Sequence, residues 1–178
     1  MIRPRAATLA AILLLAALAF LIALAPGALA QGPATKSAPN PECPRWREAF
    51  ATMPLRMVSI QAGSRTLALR VKLAATGERQ AGGFQCATPD EIQRHLILFD
   101  FGKEIFTQFH MQNVPAALDI AFIKDDGRIF AILKMDPSPT ELYGPFGEFR
   151  YALEAHAGFF ASQGIRQGEA RLVVPATR

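Results

Sequence analysis

A mainly β (α+β) fold is the class this sequence predicts: one compact barrel-like or rolled-sheet domain with a few short helices. Three observations carry it. At 178 residues the chain has the length of one domain able to bury a core. About seven or eight short apolar or alternating segments follow one another, divided by turn residues. Asp125-Asp126-Gly127 separates two such segments, a tight-hairpin signal because glycine tolerates positive φ.

The elements follow in order. "MIRPRAATLAAILLLAALAFLIALAPGALAQ" has Arg3 and Arg5, then an uncharged run from Ala6 to Ala25 broken by Pro26-Gly27. Ala28-Leu29-Ala30 supplies the small residues of a cleavage site, so residues 1–30 read as a signal peptide, with an uncleaved N-terminal anchor as the alternative. Either way the domain is expected outside the cytoplasm, periplasmic or secreted, or anchored in the inner membrane and facing the periplasm. Residues 31–53 read as a Pro/Gly/Ser-rich disordered spacer followed by a short helix, "PRWREAFATM".

The β-rich domain is expected over 54–178. "LRMVSI" (55–60) and "TLALRVKLA" (66–74) read as strands joined by a turn, and "TGERQAGG" (76–83) as a short helix stopped by two glycines. "HLILFDF" (95–101) reads as a buried strand and "IFTQFHMQN" (105–113) as an alternating one. "LDIAFIK" (118–124) and "RIFAILKM" (128–135) flank the hairpin, and residues 136–148 form a Pro/Gly loop. "FRYALEA" (149–155) is a strand, "GFFASQGI" (158–165) one or two helical turns, and "EARLVV" (169–174) a last strand.

Charge excludes little but argues against nucleic acid. Residues 1–30 hold two Arg and no acid, leaving 17 basic and 15 acidic side chains, and no run of Lys or Arg occurs. Membrane contact is expected only through the N-terminal segment if it is retained. Cys43 and Cys86 are both in the exported part, where two thiols usually pair; a two-cysteine metal site and a reactive thiol are the alternatives. His95, His110 and His156 never stand at metal-ligand spacing, and no phosphate loop, dinucleotide fingerprint or nucleophile elbow is present, so no metal or cofactor is expected.

Strand alternation places Ile105, Thr107, Phe109, Met111 and Asn113 on one face of 105–113, with His110 and Gln112 on the other. Asn113 then ends an apolar face, and Asp119 shares a face with Ala121 and Ile123. A carboxylate in such surroundings needs hydrogen-bond donors or a shifted pKa. It is either a turn-fixing acceptor for the "NVPAA" backbone or part of a site.

"FHMQNVPAALDIAFIKDDGRI" resembles the signature of the domain of unknown function 192 family, which has Phe-Trp-Met-Lys-Asn, then Leu-Asp-Ile, then a glycine hairpin. "HLILFDF", Pro137 with Tyr143, and "YALEAHAGFFASQGIRQGE" resemble its other segments in order, over about residues 55–174. The resemblance places Phe109, Met111, Asn113, Leu118, Asp119, Tyr143, Glu154, Gly158, Gly164 and Gly168 on motif positions. His110 stands for the family's Trp, Gln112 for its Lys, and Cys86 in "GGFQC" for its Arg. The resemblance implies a small, β-rich, often exported domain and no established activity.

The functional expectation is a non-enzymatic module that binds a small ligand or envelope component through Asn113, Asp119 and His110, with Glu154 or Tyr143 contributing. Two other readings stand beside it. One is a hydrolase of envelope polysaccharide or peptide, with Asp119 and Glu154 as acid and base. The other is a protein-interaction or assembly factor.

Overall fold

The computed structural model describes residues 40–175. The expected signal or anchor segment (1–30) and most of the spacer lie outside the described residues, and no described helix is long and apolar enough to cross a membrane. The chain runs α1 (Cys43–Ala51), β1 (Leu55–Ala62), β2 (Arg65–Ala74), α2 (Gly77–Gly82), α3 (Pro89–Arg94), β3 (Ile97–Ile105) and β4 (Phe109–His110). It continues through β5 (Leu118–Ile123), β6 (Ile129–Met135), β7 (Leu142–Tyr143), β8 (Phe149–His156), α4 (Phe159–Ser162) and β9 (Ala170–Val173).

Seven strands form one curled sheet in the order β6-β5-β8-β3-β2-β1-β9, and β4 pairs with β7 as a separate ribbon. All pairings in the large sheet are antiparallel except β2 with β3, which the crossover through α2 and α3 makes parallel. The curl brings the two edges together at one end. Arg128 bridges Arg171, and the Leu172 N–H donates to the Gly127 carbonyl at 2.8 Å. Gly127, at φ 86°, is the hairpin glycine, and a Cβ there would fall on the Leu172 carbonyl oxygen. This contact covers edge groups that an open sheet would expose.

Each face of the sheet has its own core. On one, Ile97, Phe99, Ile120, Phe122, Phe149 and Ala152 pack under Phe50 of α1, Met53 just after it, Phe84, and Ile92 of α3. On the other, Val58, Ile60, Leu98, Ala121, Ile123 and Leu153 pack against Phe160 of α4 and Leu172 of β9. The helix expected within the spacer is thus part of the core: Trp46, Ala49 and Phe50 are buried. Lys72 is buried beside it, its Nζ donating to the Phe50 carbonyl at 2.8 Å and lying 4.3 Å from the Phe50 ring centroid. Burial lowers its pKa, and nearby Glu91 opposes that shift.

Two local expectations change. Residues 105–113 do not form one strand. β3 runs to Ile105 with a register shift after Asp100, beside Gly102 at φ 74°, and only Phe109 and His110 re-enter a ladder, with Tyr143 and Leu142. The alternation survives as exposure: Phe106, Gln108 and His110 face out while Met111 is buried. Asn113 departs from the face assigned to it. It occupies a turn at φ 58° and is exposed. The second change is α3, which was not expected. Its Thr88-Pro89-Asp90-Glu91 start is a reciprocal capping box with proline in the first turn.

Candidate functional site

The site is built where β8 passes beneath the turn after α2. Glu154 sits in the middle of β8, opposite Ile97 of β3 and Ile120 of β5, both fully buried. Period-two alternation therefore directs its carboxyl into the helix-covered core rather than into water. Above it, Gly83 ends α2 at φ 46°, and a Cβ there would lie 3.4 Å from Phe99 Cζ and 3.6 Å from Glu154 Oε2. The positive φ favours glycine here, while the two distances are ordinary van der Waals contacts.

Glu154 is 4% exposed, and its Oε2 has no hydrogen-bond partner. Such a group is costly to bury charged, and desolvation pushes its pKa up to about 8. It holds a proton at neutral pH. The carboxyl lines a partly enclosed cavity of about 220 Å³. Four rings, Phe84, Phe99, Phe101 and Phe109, form the apolar wall, with Phe99 and Phe109 edge to face at 5.1 Å. Gln80, Gln85, Thr107, Gln108 and His110 add polar atoms, and no Lys or Arg lines the cavity.

The wall is held by a hydrogen-bonded turn and a disulfide. Gln85 Nε2 donates to the Ala81 carbonyl at 2.8 Å, and its Oε1 accepts from Asn113 Nδ2 at 2.9 Å. The Cys86 N–H donates to the Asn113 carbonyl at 2.8 Å. Cys43 and Cys86 are joined, with Cα atoms 5.5 Å apart. The bridge ties α1 to this turn, and Arg47 adds a donor to the Cys86 carbonyl at 2.9 Å. Asn113 is therefore not in the cavity wall, but it fixes Gln85, which is.

The five expected site residues separate. Glu154 and His110 meet in the cavity, with His110 exposed at its edge and its Nδ1 accepting from the Gln112 N–H at 3.3 Å. Asp119 is elsewhere. It lies opposite Ala155 in the β5–β8 ladder, one residue out of step with Glu154, so the two carboxyls project from opposite faces of the sheet. Asp119 Oδ2 accepts from the Gly158 N–H at 2.9 Å, which anchors the start of α4. The turn it fixes is thus that at Gly158. Tyr143 packs its ring against the Glu154-side core and pairs with Phe109. Its hydroxyl accepts from the Asp136 N–H at 3.2 Å and lies 2.9 Å from Glu141 Oε2, which holds the 136–143 loop.

Sequence reasoning missed Gly83, Gln85 and the four phenylalanines as site residues. The paired glycines before Phe84 were the available signal, read there only as a helix stop. No group of three or more potential metal ligands occurs among the described residues.

A half-barrel sheet with a helix-roofed cavity over one buried glutamic acid defines a compact β-rich domain with a small interior site. The chain belongs to the domain of unknown function 192 family (Uncharacterized ACR), whose model matches residues 58–172. A crystal structure of a suggested transcription regulator from Sinorhizobium meliloti 1021 is similar, with 27% identity, TM-score 0.61, and coverage of 68% of this chain and 95% of that one. A protein of unknown function from Novosphingobium aromaticivorans DSM 12444 shares the fold, with 24% identity, TM-score 0.59, and coverage of 66% and 84%. No curated protein matches the chain.

Proposed function

We propose that the domain is an exported, non-enzymatic module that binds a small ligand in the cavity under Gly83, with Glu154 as the recognising group. One observation carries this reading: Glu154, whose Oε2 is buried without a partner, lines a cavity walled by four aromatic rings. An unsatisfied buried polar atom costs about 1–3 kcal/mol, so its retention at a cavity calls for an occupant that satisfies it. The hydrolase reading loses its acid–base pair, because Asp119 and Glu154 occupy opposite faces of the sheet. The Sinorhizobium neighbour's description as a regulator finds no counterpart in a run of Lys or Arg here.

The assembly-factor reading keeps one supporting observation. Leu142 of the β4–β7 ribbon, and Phe106 and Phe146 in the segments that lead into and out of it, are exposed large apolar side chains. A thermal-shift screen of the full chain against sugars, amines, organic acids and cell-wall fragments separates the two. A ligand at 100 times its Kd stabilises by about 2.7 kcal/mol, a shift of several degrees. The binding reading expects such a shift, and expects Glu154→Leu to remove it. Silence from every class, or a shift that Glu154→Leu leaves intact, sinks it.

A further inference from the structure

The ligand's chemistry can be read from what the cavity lacks. Glu154 faces Ile97 and Ile120 from its two neighbouring strands, and Gly83 and Phe99 from above. None of these brings a positive charge. Among the described residues, the only other titratable side chain in the cavity wall is His110 of β4, at its exposed edge. Of the polar side chains in the wall, Gln80 Nε2 donates to the Asp100 carbonyl at 2.9 Å and Gln85 Nε2 to the Ala81 carbonyl at 2.8 Å, and the neutral Thr107 and Gln108 line the cavity with them. Once ionised, Glu154 therefore offers a buried acceptor with no lysine or arginine in the wall beside it, ringed by aromatic faces that favour positive charge.

We propose that the cavity takes a small organic ammonium, a primary or methylated amine, with its charge against the Glu154 carboxylate and its carbon skeleton among Phe84, Phe99, Phe101 and Phe109. The assignment deepens the binding reading above and rests on it. The volume of about 220 Å³ admits a ligand somewhat larger than benzene, which fills a cavity of about 150 Å³. A neutral acceptor such as a ketone would instead meet the protonated acid. The two classes differ in their proton balance. An ammonium binds the ionised carboxylate, so the Glu154 proton passes to the buffer. A neutral acceptor requires that proton to stay.

Benzylammonium and benzyl alcohol, nearly equal in shape, are the probes, titrated calorimetrically into the full chain in buffers of different ionisation heat. For benzylammonium the proposal expects release of about one proton near pH 7, and affinity rising about fivefold from pH 7 to pH 8. Glu154→Gln should weaken benzylammonium at least tenfold and abolish the proton release, which assigns the proton to Glu154 rather than to His110. If that variant does not fold, the wild-type proton count and pH slope decide. Tighter binding of benzyl alcohol, with affinity falling as pH rises, overturns the ammonium assignment and leaves the binding reading standing. No response to either probe, alongside a thermal-shift hit of another class that depends on Glu154, has the same consequence. Silence in both experiments removes the site altogether.

Discussion

Replacing Glu154 by Gln should change how the protein's stability depends on pH, by an amount that the geometry bounds. The glutamic acid is wedged between Ile97 and Ile120 and has no partner for Oε2. Burial raises it from 4.5 to about 8. The folded state therefore holds a proton that the unfolded chain releases above pH 4.5. The resulting stabilisation is complete below 4.5, declines as pH rises, and is gone once pH passes about 8. At about 1.4 kcal/mol for each tenfold change, the full span is about 5 kcal/mol, and about 4 of it falls between pH 5 and pH 8.5. Glutamine fills nearly the same space and does not titrate. Urea unfolding followed at Trp46, the one tryptophan, tests this at the two pH values with the disulfide intact. Wild type should lose about 4 kcal/mol more than Glu154→Gln, because every other titrating group is common to both. Parallel losses would show that Glu154 is solvated or paired, and the cavity argument would fall with it.

Three further outcomes follow from the same structure. The Cys43–Cys86 bridge closes a separation of 43 residues, for which loop entropy assigns about 4 kcal/mol. Replacing both cysteines by serine should lower the calorimetric midpoint by about 10 °C, and an unchanged midpoint refutes the assignment. Gly127→Ala combines an unfavourable φ of 86° with a collision at the Leu172 carbonyl, so it should cost more than about 2 kcal/mol in urea titrations. Asp119→Ala leaves the Gly158 N–H without its acceptor and should cost about 1–3 kcal/mol. Cavity ligands should bind that variant as they bind wild type, and a large loss of affinity would return Asp119 to the site.

What was legible in the sequence was local. The β5–β6 hairpin follows from Asp-Asp-Gly between two apolar runs, and strand parity correctly puts Asp119 with Ala121 and Ile123. Thr88-Pro89-Asp90-Glu91 carried a legible helix start that the apolar-period reading passed over, because α3 has only 6 residues and one buried side chain, Ile92. The alternation of 105–113 was real as exposure but misleading as topology. β3 shifts register after Asp100 and leaves the large sheet beyond Ile105, and no periodicity registers a change of ladder partner. The relation of Asp119 to Glu154 was illegible in principle. It depends on which residue of β8 lies opposite which residue of β5, and a one-residue offset decides between a carboxyl pair and two unrelated groups.

The cavity itself illustrates how a long-range tie can shape a site whose parts look unrelated in the chain. Its roof is the turn from Gly82 to Ala87, and that turn has little core of its own beyond Phe84. Three contacts from distant segments fix it: Cys43 through the bridge, Arg47 on the Cys86 carbonyl, and Asn113 on Gln85 and Cys86. Cys86 itself is held at φ 58°, a conformation that a β-carbon disfavours and that these ties sustain. The sequence resemblance has an arginine where this chain has Cys86. In this chain the position is covalently joined to α1. Cys86 is not among the residues that line the cavity, but an arginine there would add a cation to the turn that roofs it. Cys86→Arg together with Cys43→Ser should therefore weaken benzylammonium more than the double serine variant does. Equal affinity in the two would show that position 86 acts on the roof and not on the charge balance of the cavity.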